Sequence, residues 1–145
     1  MPFTTHREIP ATSAAVFAAI EDSTRLARWW GPAGFTNTFQ VCDFQQGGSW
    51  SYVMHGPGGK SYPNESRFET IEAARKLVIR HISQPHYRLT ISLTPTASGG
   101  TRIDWLQAFD DERVASGIAH IVEPANEENL DRLTAEVLYP PRADG

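Results

Sequence analysis

Six polar side chains occur where the sequence otherwise repeats apolar residues, and they are the residues best placed to do chemistry. Five lie in segments that alternate like strands and one lies in a helical segment: Tyr52, His81, Tyr87, Trp105, Gln107 and Asn126. A polar group that leaves water costs free energy unless it finds a hydrogen-bond partner. These side chains would therefore either pair with one another and with ordered water in a core, or orient a ligand in an apolar pocket.

Acid–base catalysis is a second chemistry that these residue types allow. His81 could serve as a general base with Glu69 or Asp104 as its partner. On the strand alternation, however, both carboxylates point away from the face that carries the histidine. The spacing forces no close acid–base pair, so we predict no catalytic residue and keep a cyclase-like or hydrolase-like enzyme as an alternative.

The motifs do not support a metal or phosphate site. The chain has no Cys-x-x-Cys and no His-Glu-x-x-His, and its histidines share no ligand spacing. Gly59-Lys60-Ser61 looks like the end of a phosphate-binding loop, but Met54 stands where that loop needs glycine. Tyr62-Pro63 also blocks the helix start that would direct amide groups at a phosphate. We predict a hairpin turn here, and no metal or cofactor.

Composition restricts the partners and the compartment. The chain of 145 residues has a formal net charge of −4, which argues against a nucleic-acid partner. Its longest apolar run, Ala14 to Ile20, is far shorter than the roughly 20 residues that span a bilayer. A single cysteine, Cys42, points to a reducing compartment, as a small buried side chain or, less commonly, a reactive thiol. We predict a cytoplasmic protein with no signal peptide and no membrane partner.

The elements that would position these residues follow from periodicity and turn signals. Phe3 to Pro10 predicts a strand, and Ser13 and Asp22-Ser23 are the predicted N-caps of two short helices. Gly31-Pro32 would end the second helix, because proline cannot continue it. Alternating apolar residues then predict six strands, and Ser98–Gly100 is a hairpin turn between the last two.

A long helix is predicted from about Asp111 to Val137. Its apolar residues fall on one stripe: Ile118, Ile121, Val122, Leu130, Leu133 and Val137. The order of elements indicates an α+β fold in which an antiparallel sheet buries this stripe. Residues 1–138 are predicted to form a single domain, and residues 139–145 a flexible C-terminal tail.

Three strings occur in a characteristic order: Leu26-Ala27-Arg28-Trp29-Trp30-Gly31-Pro32, Gly47-Gly48-Ser49-Trp50-Ser51-Tyr52-Val53-Met54 and Asn129-Leu130-Asp131-Arg132-Leu133. Together they resemble the activator of Hsp90 ATPase homologue 1-like family of the START/Bet v 1-like (SRPBCC) superfamily. The similarity extends from roughly Phe3 to Leu138. It implies the helix-grip fold: a curved antiparallel sheet of about seven strands around a long C-terminal helix, with an internal cavity between them.

The resemblance is compatible with three functions. The first, which we predict, is binding of a small hydrophobic or aromatic molecule in the cavity. The alternatives are a protein-interaction module related to the Hsp90 co-chaperones and an enzyme that works in the same cavity. Because the first strand begins at Phe3, we expect no separate N-terminal domain like that of the eukaryotic activators. A homodimer is plausible for this family.

The last helix departs from the family pattern. Relatives often carry Gly-Trp where this chain has Ala125-Asn126, and Pro124 comes immediately before. Pro124 removes the hydrogen bond to the carbonyl of His120, so we expect the helix to bend or split there. The pocket is therefore expected to be more open or more polar than in relatives.

Strand alternation and helix periodicity together predict the residues that face the cavity. The candidates are Trp30, Trp50, Tyr52, Met54, Phe68, His81, Tyr87, Leu89, Trp105, Gln107, Ile118, Val122, Asn126 and Leu130. For each aromatic or aliphatic member, filling a core is the alternative to touching a ligand.

Overall fold

The computed structural model describes residues 2–141, which form a single sheet and three helices. The strands of that sheet are β1 (Phe3–Ile9), β2 (Thr36–Cys42), β3 (Ser49–His55), β4 (Ser61–Glu72), β5 (Lys76–His81), β6 (Tyr87–Pro95) and β7 (Thr101–Phe109). The helices are α1 (Ser13–Glu21), α2 (Ser23–Trp29) and α3 (Glu112–Leu138). The last four residues of the predicted tail, 142–145, lie outside the described part of the chain.

All seven strands are antiparallel to their neighbours. Their order is β1-β7-β6-β5-β4-β3-β2, so β1 crosses over to pair with the last strand while the others follow as hairpins. Leu130 and Leu133 of α3 lie in the same buried cluster as Trp50 and Ile91 of the sheet. The α+β, helix-grip prediction is confirmed, with two short helices after the first strand and one long helix at the end.

The predicted helix starts are right to within one residue. Asp22 caps α2 as expected, because its carboxylate accepts from the backbone N–H groups of Thr24 and Arg25. The cap of α1 is Thr12, whose hydroxyl accepts from the Ala15 N–H, and not Ser13 as predicted. Ser13 is instead the first residue of the helix, and its hydroxyl lies 3.1 Å from that of Thr101 on β7.

A bulge in β2 places Phe39 and Val41 on opposite faces of the sheet. The pairing of β2 with β3 shifts between Phe39 and Val41, leaving Gln40 as an extra residue in the ladder. An extra residue reverses the inward and outward alternation beyond it. Phe39 consequently packs against the core, whereas Val41 is exposed.

Three polar residues fix the C-terminal half of α3 to α2 and to the turn that follows α2. Asn129, Arg132 and Glu136 are spaced by three and four residues, so they lie on one stripe of the helix. Asn129 bridges the end of α2, since its amide donates to the Trp29 carbonyl and accepts from the Gly31 N–H. The stripe thereby positions the turn that follows α2.

Arg132 makes the largest set of contacts in this stripe. Its guanidinium donates to the carbonyls of Arg28, Trp30, Gly31, Pro32 and Phe35 at 2.6 to 3.2 Å. The Arg28 carbonyl lies in the last turn of α2, where acceptors lack a helical partner and a positive charge is favoured, and the other four carbonyls follow the helix. Gly31 has a φ of +97°, which glycine adopts without strain.

Glu136 adds an ion-pair cluster one turn further along. Its buried carboxylate accepts from Arg25 at 3.0 Å and from Arg28 at 2.9 Å. Burial opposes ionisation of Glu136, but the two arginines outweigh it and hold the pKa of the carboxyl below its usual value. Both ends of α2 are thus fixed against α3.

The N-terminal half of α3 packs much more loosely. The helix is continuous through Pro124, so the split that proline allowed does not occur. Ala115 is the one residue before Asn129 that is buried in the described helix. Ile121, which was predicted on the buried stripe, is 58% exposed. This half of the helix therefore stands off the sheet, and Arg7 of β1 braces it from the side through Glu127.

No helix in the described residues is long and apolar enough to cross a membrane.

Replacing Arg132 by lysine is expected to destabilise the fold by about 2 kcal/mol. Lysine keeps the charge but reaches fewer of the five carbonyls, and each lost hydrogen bond is worth about 1 kcal/mol. The free energy of unfolding from urea titrations measures the effect. The matched control is Arg102→Lys, an exposed ion-pair residue, which should change stability by less than about 0.5 kcal/mol. Equal effects of the two substitutions would contradict the role given to Arg132.

Candidate functional site

A pocket lies where the loosely packed half of α3 faces the sheet and the turn after α2. Its volume is about 150 Å³. Its walls come from the turn, from strands β3, β6 and β7, and from α3. The lining residues are Trp30, Gly31, Pro32, Met54, Tyr87, Leu89, Trp105, Gln107, Ile121, Val122, Ala125, Asn126 and Asn129.

Eight of the fourteen predicted cavity residues meet at this pocket. They are Trp30, Met54, Tyr87, Leu89, Trp105, Gln107, Val122 and Asn126. Strand alternation and helix periodicity placed them on facing surfaces, and the fold brings those surfaces together. Ile118 lies one turn before Val122 and lines a neighbouring depression instead.

The remaining five predicted residues lie outside the pocket wall: Trp50, Tyr52, Phe68, His81 and Leu130. All five are buried, and all but His81 belong to the hydrophobic core cluster. Trp50 stacks on Phe68 with ring centroids 5.3 Å apart and contacts Tyr52 at 4.4 Å. These rings fill the space on the β2 side of Trp30.

Trp30 separates that aromatic core from the pocket. Its ring lies 4.9 Å from Trp50 on one side and 6.4 Å from Trp105 on the other, measured between centroids. Asn37 of β2 holds its backbone by donating to the Trp30 carbonyl at 2.8 Å, beside the contact from Arg132. The pocket wall at Trp30 is therefore set by contacts on both sides of the turn.

His81 supports the wall from behind. Its ring stacks on Tyr87 with centroids 4.5 Å apart and planes within 6°. Nδ1 donates to the Pro85 carbonyl at 2.7 Å, and Nε2 lies 2.7 Å from Oδ1 of Asn64. Burial lowers the pKa of His81. Because its Nδ1–H is used by the Pro85 carbonyl and its ring stacks on Tyr87, the histidine orients the Tyr87 ring and is not among the lining residues of the pocket.

The polar atoms of the lining are few. Asn126 of α3 donates to Gln107 of β7 at 3.1 Å. Asn129 is fully engaged with the α2 turn, as described above. The indole N–H of Trp105 is buried and has no hydrogen-bond partner among the described residues. None of the lining residues carries a charge.

Two tyrosines near the pocket, the buried Tyr52 and the partly buried Tyr87, stay neutral at physiological pH. Burial raises the pKa of Tyr52 to about 12. Burial, with a smaller contribution from Tyr52, raises the pKa of Tyr87 well above its usual value. The phenol of Tyr87 can therefore donate or accept a hydrogen bond, but it does not supply a phenolate base.

A second depression adjoins the pocket toward the start of α3. It has a volume of about 590 Å³ and is lined by Gln84, Pro85, His86, Asp110, Asp111, Val114 and Ile118. It is more polar: Asp110 on its wall pairs with Arg80 at 2.8 Å, which lowers the pKa of that carboxyl. His86 of this depression immediately precedes Tyr87 of the pocket, and Ile118 of this depression lies one helical turn before Val122 of the pocket.

Two other chemistries weighed from the sequence have no geometry to support them. Across residues 2–141, no three His, Cys, Asp or Glu side chains converge as a metal site requires. Burial, assisted by Asp43, raises the pKa of Cys42 to about 11, which disfavours a reactive thiolate. Cys42 packs against the core as a partly buried side chain.

Sequence reasoning missed five of the pocket residues. Gly31 and Pro32 were interpreted only as a helix stop, and Ala125 only as a departure from a family pattern. Asn129 opens the Asn-Leu-Asp-Arg-Leu string, so its position beside Arg132 was a usable signal. Ile121 was assigned to the core, and only the gap under α3 brings it to the pocket mouth.

Comparisons of the sequence and of the structure with known proteins point to the same family. The sequence profile described as "Activator of Hsp90 ATPase homolog 1-like protein" matches residues 10–137. A search of curated proteins finds no match. A solution structure from Arthrobacter aurescens is 28% identical, with a TM-score of 0.86, and the alignment covers 97% of this chain and 87% of that one.

Two further solved structures show the same fold at lower identity. A crystal structure from Chromobacterium violaceum is 20% identical over 98% of this chain and 99% of that one, with a TM-score of 0.82. The solution structure of an AHSA1-like protein from Aeromonas hydrophila is 16% identical over 98% and 99% of the two chains, with a TM-score of 0.75.

The raised pKa values give a direct titration test. We expect a spectrophotometric pH titration of tyrosine ionisation to show Tyr52 ionising with a pKa of about 12. Tyr52→Phe should accordingly leave the ionisation amplitude between about pH 9 and pH 11 unchanged, since an ordinary tyrosine ionises near pH 10. A loss of amplitude in Tyr52→Phe within that range would contradict the effect assigned to burial of this hydroxyl.

Proposed function

The chain belongs to the family of activator of Hsp90 ATPase homolog 1-like proteins, and on that basis we propose that it binds a small apolar molecule between α3 and the sheet. The observation that carries the proposal is the pocket itself, with its aromatic and aliphatic walls and uncharged lining. A concave, mostly apolar site with a few convergent polar groups is the usual form of a small-molecule site.

The volume indicates the size of the ligand. An apolar cavity of about 150 Å³ is enough to hold benzene, and the pocket has about that volume. The ligand would thus be about one aromatic ring in size if it stays within the pocket. A longer molecule would extend past Val122 and Ile118 into the adjoining depression, where Asp110 and His86 are found.

The pocket could hold a ligand or could be a packing defect of the core. The packing of α3 favours the first alternative. Arg132 and Glu136 fix one half of the helix, so the other half cannot close onto the sheet without disturbing those contacts. Ala125 and Asn126 at the pocket are small, and a bulkier residue there would fill the space. Apolar walls left without contact atoms lose dispersion energy, which a ligand would restore.

The chemistry of the lining favours binding over catalysis. General acid–base catalysis needs a titratable group within hydrogen-bond reach of the reacting atoms. His81 stands behind Tyr87 and is not among the lining residues, and the Tyr87 phenol stays protonated. A carrier or sensor is therefore the better supported proposal, and a cytoplasmic location and a homodimer remain predictions.

The protein-interaction alternative has one observation in its favour. Val114 and Ile121 are exposed apolar residues on the same face of α3, and the family takes its name from activators of the Hsp90 ATPase. If the chain acts in this way, adding it should raise the ATPase rate of an Hsp90, and Ile121→Glu should abolish the increase. An unchanged ATPase rate with the wild-type chain would count against this alternative.

Filling the pocket is expected to abolish binding of a ring-sized ligand. In an NMR titration of ¹⁵N-labelled protein, benzene should shift the amides of pocket residues. Val122→Phe should weaken its affinity at least about tenfold, because the added ring occupies the same space. The control is Val41→Phe, at an exposed position of β2 outside both hollows. Absence of benzene binding, or equal binding by Val122→Phe, would refute the proposal.

A further inference from the structure

We propose that the ligand is a neutral, planar, single-ring molecule that carries a hydrogen-bond donor beside an acceptor, as a lactam or a cyclic amide does. This deepens the proposed function and rests on it. The inference comes from the amide pair of Gln107 and Asn126, from the absence of charge in the lining, and from the unpartnered indole of Trp105.

The amide pair presents one donor and one acceptor to the pocket. Asn126 Nδ2 donates to Gln107 Oε1, and neither Gln107 Nε2 nor Asn126 Oδ1 has a partner among the described residues. If both amides are turned over, Gln107 Nε2 donates to Asn126 Oδ1, and the free groups become the Gln107 carbonyl and the Asn126 amino group. In both arrangements one free NH₂ group lies beside one free carbonyl.

The free groups of this pair reach solvent in the open pocket, although Gln107 as a whole is only 8% exposed and lines the pocket from β7. A ligand that enters the pocket removes their contact with water, which costs free energy unless the ligand replaces the lost hydrogen bonds. A ligand with an acceptor beside a donor can satisfy both free groups at once, whereas a hydrocarbon leaves them unpaired.

The arginines around the pocket already bind other groups of the protein. Arg132, the basic residue nearest the turn, donates to five backbone carbonyls. Arg7 pairs with Glu127 and Asp131 on the outer side of α3. A charged ligand would lose its hydration without gaining a counter-ion in the lining, so a neutral ligand is favoured.

The flat walls suit a ring. Trp30 and Trp105 line the pocket together with Tyr87, whose ring is held by stacking on His81. The buried indole N–H of Trp105 adds a further donor without a partner in the described chain. Aromatic walls with few donors and one acceptor favour a planar molecule with at least one carbonyl group.

Four small probes separate these features in the wild-type protein. 2-Pyridone carries an N–H beside a carbonyl, 1-methyl-2-pyridone lacks the N–H, benzene lacks both groups, and benzoate carries a charge. Dissociation constants come from NMR titrations that also follow the side-chain NH₂ signals of glutamine and asparagine. We expect 2-pyridone to bind about tenfold more tightly than 1-methyl-2-pyridone, and benzoate to bind more weakly than either.

Two variants assign the preference to the amide pair. Gln107→Leu and Asn126→Ala, neither of which adds a bulkier side chain at Asn126, should each weaken 2-pyridone binding about tenfold and leave benzene affinity unchanged or tighter. Gln40→Leu, at an exposed glutamine of β2, should change neither affinity. Because benzene is measured on the same variants, a general loss of structure is distinguished from a loss of hydrogen bonding.

The outcomes are separable from those of the proposed function. If benzene binds but 2-pyridone and 1-methyl-2-pyridone bind equally well, the donor–acceptor inference is wrong and the apolar pocket stands. If benzoate binds most tightly, the inference of a neutral ligand is wrong. If neither benzene nor 2-pyridone binds the wild-type protein, the proposed function fails and this inference fails with it.

Discussion

The contact of one guanidinium with five carbonyls determines how the helical side of this protein is arranged. Arg132 reaches from α3 to the end of α2 and to the turn beyond it, where backbone acceptors have no helical partner. An arginine suits this task because its planar head carries several donors with fixed directions. Asn129 and Glu136 extend the same stripe, so α2, its turn and half of α3 behave as one packed unit.

The pocket follows from that constraint. Because the C-terminal half of α3 is fixed, the direction of the helix axis is fixed as well. That direction limits how closely the N-terminal half can approach the sheet. Pro124 lies within the loosely packed part of the helix, which ends before Asn129, and the small residues Ala125 and Asn126 follow it. The gap between the loosely packed half and strands β6 and β7 is therefore a consequence of how the other half of α3 is held. The wall at Trp30 is set by the same contacts, because Arg132 and Asn37 both hold its carbonyl.

The character of the pocket depends on which polar groups the core has already used. His81 is engaged by Pro85 and Asn64, and Asn129 by the α2 turn, so neither is available to a ligand. What remains is an amide pair, a neutral phenol and an indole, set among apolar walls. Such groups can recognise the shape and hydrogen-bonding pattern of a small neutral molecule, but they have little capacity to move protons.

The sequence by itself determined the order of the elements, the inward face of nearly every strand, the α+β class and the family, because these depend on local periodicity, turn signals and short strings. It also placed Gln107 and Asn126 on facing surfaces. Only the tertiary structure decided which inward-facing residues are packed in the core and which border the pocket. Trp50 and Tyr52 fill the core, whereas Trp105 on the same face borders the pocket. Ile121 is exposed, although its helical position matches that of a core residue. Periodicity tells which way a side chain points, but how much space lies in front of it depends on contacts between segments far apart in the chain, above all those of Arg132.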